Sequence, residues 1–120
     1  MIVAAHILTA LVAIEHLYIL WIEMFAWETA GRKTFKSFPA ELFGATKGLA
    51  ANQGLYNGFL AAGLIWSFFI ADPVWSENIR LFFLGCVAVA GTFGALTASK
   101  SIFFKQALPA IAAWIVVILS

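Results

Sequence analysis

Glu15, His16 and Glu23 are the residues of this chain best suited to moving protons, and all three lie in one apolar run, AIEHLYILWIEMFAWE, at positions 13–28. An imidazole and two carboxylates brought together away from water can serve as general acid and base at neutral pH. At about 100° of rotation per residue, His16, Glu23 and Trp27 return to one helical face, and Glu15 points roughly a quarter-turn away. Glu15, His16 and Glu23 are therefore the candidate catalytic residues. An ionised side chain at the centre of a bilayer costs ~2.5–3.5 kcal/mol on insertion scales, so such groups should face a helix bundle and find partners there.

Depth identifies those partners. With Glu28, Lys47 and Lys100 at the cytoplasmic boundary, Glu23, Asn52, Gln53, Lys105 and Gln106 all lie about one and a half turns in. His16 and Asn57 lie deeper, and Glu15 sits near the midplane. The amides of Asn52, Gln53 and Asn57 can orient a polar head, while Trp21, Phe25 and Tyr56 can surround an apolar tail. Pro109 leaves the Lys105 carbonyl without its helical donor. A bend there is expected to set Lys105, with Gln106, near Glu23. The competing expectation is that Lys105 snorkels to the headgroups on its long stem. The candidate ligand-binding set is thus Trp27, Asn52, Gln53, Tyr56, Asn57, Lys105 and Gln106, in a pocket opening toward the cytoplasmic half.

The elements that must position these groups are transmembrane helices. The chain has 120 residues, 63% hydrophobic and 11% charged, with a mean hydropathy of +0.97, whereas soluble domains carry about a quarter charged residues. Four apolar stretches, about 2–27, 48–71, 79–99 and 102–119, predict an all-α integral membrane bundle in a single domain. Backbone groups in lipid must satisfy one another, which favours helices for runs of this length. The first stretch lacks the basic start of a signal peptide and is expected to be a retained helix.

Lysine and arginine set the expected orientation. Arg32, Lys33, Lys36 and Lys47 lie in the first connection, and Lys100 and Lys105 in or just after the third. The second connection has Arg80 alone. The positive-inside rule then places both termini on the non-cytoplasmic side of a multi-pass cell-membrane protein. Trp27, Trp66 and Trp75 are expected at the interfaces, and residues 34–46, with Phe35, Phe38, Leu42 and Phe43, in the headgroup layer.

Small residues predict where helices approach. Ala50, Gly54, Gly58 and Ala62 recur every four positions and include a GxxxG step; Gly91, Ala95 and Ser99 repeat the device. The second and third spans are therefore expected to pair. Cys86 sits in an apolar run as a packing residue, and a lone cysteine excludes an intrachain disulfide.

The Glu-His and Glu-Met pairs of the first helix, NQGLYNGFLAAGL at 52–64 and KQALPAIAA at 105–113 together resemble domain of unknown function family 1304, across essentially the whole chain. The resemblance implies a compact four-helix membrane protein with motif residues at Glu15, His16, Glu23, Asn52, Gln53, Asn57, Lys105 and Pro109. It implies no established activity and leaves the cofactor open.

Four functions fit these residues. A pocket in the cytoplasmic half binding a small lipophilic ligand, with acid–base chemistry, uses all of them. Proton-coupled transport requires a homo-oligomer, because one short chain offers no discontinuous helix pair or repeat. Haem or metal binding lacks an HExxH or CxxC spacing, and no metal ligands are assigned. A structural or accessory role needs only that His16 and Glu23 bond to Asn57, Asn52 and Lys105. The bilayer is the expected partner; a net charge of +1 without a basic face argues against nucleic acid.

Overall fold

The computed structural model describes residues 1–98 and 100–120, with the backbone alone at Ile102 and Phe103. The described residues are helical and contain no strand. Helix α1 spans Ile2–Phe25, an apolar run free of glycine and proline. The short α2 spans Ala30–Thr34, a 3-10 turn covers Ala40–Leu42, and α3 spans Lys47–Phe68. Helix α4 spans Pro73–Thr97, α5 is the single turn Lys100–Ile102, a π-helical turn follows at Phe103–Ala107, and α6 spans Leu108–Leu119.

Helices α1 and α4 are long and apolar enough to cross a membrane; α3 is less apolar, and Phe104–Leu119 is apolar but shorter. Ile7, Leu11 and Ile14 on α1, and Phe82, Val89, Phe93 and Leu96 on α4, are each more than half exposed. Monomeric proteins in water rarely leave so much contiguous apolar surface uncovered, whereas lipid accommodates it without cost.

Several boundaries differ from those expected. Helix α4 starts at Pro73 rather than near residue 79. The Asp72 side chain accepts hydrogen bonds from the backbone N–H groups of Val74 (2.9 Å) and Trp75 (3.3 Å), and Pro73 occupies the first turn. The pair that ends one helical path thereby begins the next, because proline at the first helical position sacrifices no helical bond. The last stretch is not one α-helix. Its π-helical turn immediately precedes Leu108-Pro109, where the missing proline N–H disturbs the regular ladder.

The chain divides into two compact units, one formed by Met1–Ile14 with Leu60–Ser120, the other by Glu15–Phe59. The first unit has a core of Ala5, Val12, Ala13, Leu64, Leu84, Val87, Ala110, Ala113 and Val117. Its helices approach closely at small residues. Gly63 lies against the Phe83 ring, and a Cβ at Gly91 would stand 2.7 Å from the Ala107 backbone nitrogen.

The second unit is built on Ile22, Trp27, Phe43 and Ala50. Here the connection after α1 folds on itself. Trp27 is ringed by Phe35, Phe38 and Phe43 at centroid distances of 5.5, 5.5 and 4.8 Å, and its Nε1 donates to Thr46 Oγ1 at 3.1 Å. Arg32 closes the cluster, stacking on Phe43 at 4.9 Å and donating to the carbonyls of Glu28 and Ala40 at 2.8 and 2.9 Å. Trp27, expected as an interfacial anchor on the His16 face, is instead the buried centre of an aromatic box. The phenylalanines expected to enter headgroups supply its walls.

Candidate functional site

Within the second unit, Glu23 of α1 meets Asn57 of α3. Glu23 is 4% exposed, and Asn57 Nδ2 donates to its Oε1 at 2.6 Å. The approach that allows this is made by glycine. A Cβ at Gly54 would lie 2.7 Å from Met24 Cγ and 3.0 Å from Glu23 Cβ, and one at Gly58 would lie 2.5 Å from Leu20 Cδ1. Gly54 and Gly58 therefore pack the α3 backbone against α1, not against α4 as the small-residue stripes predict.

The stripe also has a limited length. Each four-residue step overshoots a full turn by about 40°, so the row drifts around the helix. Ala50, Gly54 and Ala62 accordingly differ: the first two are buried, and Ala62 is exposed. Ser99, the last member of the other stripe, lies outside the described residues.

The other candidate residues differ in their settings. His16 is buried, at 1% exposure, and Glu15 is half-buried. Asn52, Gln53 and Tyr56 are exposed on α3. Trp27 is enclosed in its aromatic box, and Lys105 and Gln106 belong to the other unit, with Lys105 exposed. No buried side-chain nitrogen or oxygen among the described residues lacks a hydrogen-bond partner. The arrangement around Glu23 is thus a satisfied polar contact inside a close-packed seam.

A feature that the sequence reading left as a boundary charge stands elsewhere. In the first unit a cleft of about 250 Å³ is lined by His6, Ser76, Glu77 and Arg80 together with apolar residues that include Ile2 and Val117. Arg80 is 6% exposed. Its Nε donates to Ser67 Oγ at 3.2 Å, its Nη2 donates to Ser76 Oγ at 3.4 Å, and its guanidinium lies over Phe68 at 4.7 Å. The ring of His6 meets the other side of this cluster, 5.4 Å from Phe68. Ser76 Oγ in turn donates to the Ser67 carbonyl at 2.6 Å, tying the end of α3 to the start of α4. One signal in the sequence, an arginine two turns inside a proline-started helix, points to this place, but only once the helix start at Pro73 is known.

Taken together, these features define an all-α protein with two helices long and apolar enough to cross a membrane and a part-buried carboxylate–amide pair. The chain matches the family described as "Protein of unknown function (DUF1304)" over residues 10–118, and it belongs to that family. It is 36% identical over 104 residues to the "Uncharacterized protein YpaA" of Lactococcus lactis subsp. lactis (strain IL1403), covering 83% of this chain and 84% of that protein. No solved structure matches it.

Proposed function

We propose that this is a small multi-pass membrane protein of the accessory or scaffolding kind, in which Glu23 and Asn57 form an interhelical clasp that specifies the pairing of α1 with α3. The observation that carries the reading is the 2.6 Å bond from Asn57 Nδ2 to Glu23 Oε1, formed where Gly54 lets the two backbones close. In hydrocarbon no water competes for either group, so the pair discriminates against every register that would leave one of them alone. The four-span topology with both termini outside belongs to this proposal, and the six basic residues of the first and third connections support it.

A double-mutant cycle tests the clasp. Glu23→Ala, Asn57→Ala and the double variant, unfolded in detergent, are expected to show a coupling of about 0.6 kcal/mol, with ~1.7 as the upper range for such bonds. Additive losses would end the clasp reading. So would a Glu23→Gln protein of unchanged stability that loses a co-purifying ligand retained by the parent chain.

A second reading rests on Asn52, Gln53 and Tyr56, which are exposed on α3. Two amides on an outward helical face are poorly matched to lipid and well matched to the same amides of another copy, so a homo-oligomer formed through this face is the second proposal. Cysteine at position 53 should cross-link between copies in membranes; absence of cross-links at 52, 53 and 56 alike would remove it.

A further inference from the structure

The cleft beside Arg80 is independent of the Glu23 clasp and has a different chemistry. A guanidinium carries five N–H donors in a planar fork. Two nitrogens of Arg80 are engaged by serine hydroxyls, at the long distances of 3.2 and 3.4 Å, and Phe68 holds the plane from one side. Among the described residues no carboxylate lies within ion-pair distance of it, although Glu77 lines the same cleft. A guanidinium more than nine-tenths buried, with Glu77 near enough to act on it through space but not to pair with it, gains from a ligand that completes its shell. Arg80 itself lines the cleft, and the serines engage its Nε and Nη2.

Arg80 and Glu77 thus offer one positive and one negative group that feel each other's field without forming an ion pair. The apolar remainder of the wall, including Ile2 and Val117, suits the first carbons of an acyl or glycerol unit. A volume of about 250 Å³ falls just below the ~300 Å³ at which sites for whole drug-sized molecules begin. It fits a head group better than a complete lipophile. Trp66 and Trp75, more than half exposed in the same unit, are residues that favour the headgroup level of a bilayer.

We propose that this cleft binds a zwitterionic phosphate–amine head group, with the phosphate accepting hydrogen bonds from Arg80 and the ammonium donating to Glu77. Arginine is the side chain best matched to phosphate, by its fork geometry and permanent charge. Glu77 supplies the discrimination: it favours a ligand that brings its own cation and opposes a purely anionic one.

Native mass spectrometry of the full chain released from nanodiscs tests this directly. The probes are phosphatidylethanolamine and phosphatidylglycerol of matched acyl chains, and soluble phosphoethanolamine as competitor. The parent protein should retain phosphatidylethanolamine in preference to phosphatidylglycerol by about tenfold. Arg80→Gln should lower retention of phosphatidylethanolamine at least tenfold, and Glu77→Gln should erase or reverse the preference while leaving binding of phosphatidylglycerol intact. If Arg80→Gln fails to fold, as judged by circular dichroism, the half-exposed Glu77 position carries the test alone. Displacement of the lipid by soluble phosphoethanolamine identifies the free head group as sufficient, whereas retention against it identifies the membrane lipid as the source. Equal retention of the two lipids by the parent chain, or a preference untouched by Glu77→Gln, overturns the proposal.

Discussion

Gly54 and Gly85 both lie within long helices, yet they meet opposite surroundings. A Cβ at Gly54 would press on Met24 Cγ at 2.7 Å, on Glu23 Cβ at 3.0 Å and on the Met24 backbone nitrogen at 3.2 Å, whereas one at Gly85 would meet nothing within 4 Å. Gly54→Ala should therefore force α1 and α3 apart and cost about 1–3 kcal/mol. Gly85→Ala should be neutral or stabilise the protein by up to about 1 kcal/mol, through helix propensity alone. Unfolding both variants in detergent checks the contrast, and equal effects would mean that backbone approach at Gly54 constrains nothing. At this scale the sequence was legible in part. Counting residues from the boundary put Glu23 and Asn57 in one inner-half candidate set, but it matched Glu23 in depth with Asn52 and Gln53 and set Asn57 deeper, beside His16, so the pair that forms is not the one depth selects. The exposure of Asn52 and Gln53 was not legible, since depth says nothing of which way a residue faces around its own helix.

Helix boundaries follow from capping more than from hydropathy. Asp72→Ala removes the acceptor for the Val74 and Trp75 amides and should cost about 0.5–2 kcal/mol. Amide exchange at Val74 and Trp75 should quicken selectively, and uniform exchange across α4 would contradict a local cap. The apolar runs located the long helices because burial in lipid or core demands many consecutive apolar residues. They misplaced the start of α4 because residues 73–78 are polar enough to resemble a loop, although Asp-Pro makes them helical. The disturbance at Lys105 was expected from Pro109, but its form as a π-helical turn over Phe103–Ala107 depends on packing that spacing does not record. The aromatic box was hidden for a similar reason. Its phenylalanines read as headgroup anchors until Trp27 is seen to collect them. Trp27→Phe keeps the ring packing but loses the bond to Thr46, so thermal unfolding should register a loss of about 0.5–1.5 kcal/mol.

For the whole molecule, the distribution of basic residues makes a topological prediction. Cysteine at the exposed position Asn78, in a chain whose own Cys86 is replaced by serine, should react with a membrane-impermeant maleimide added to intact cells. Cysteine at the exposed position Lys36 should react only after permeabilisation. The reverse pattern would invert the orientation, and labelling of both in intact cells would put them on one side and contradict a single crossing by α3 between them. The Arg80 cleft escaped the sequence reading because it assembles the first turns of α1 and α4 with the end of α6, segments far apart in the chain. The clasp has its own consequence for biosynthesis. Its partners are 34 residues apart, and at ribosomal rates of roughly 5–20 residues per second Glu23 is made about 2–7 seconds before Asn57 exists. In the membrane reading proposed above, α1 then waits in the bilayer with its carboxylate not yet met by Asn57, and the synthesis of α3 sets the earliest moment at which the clasp can close.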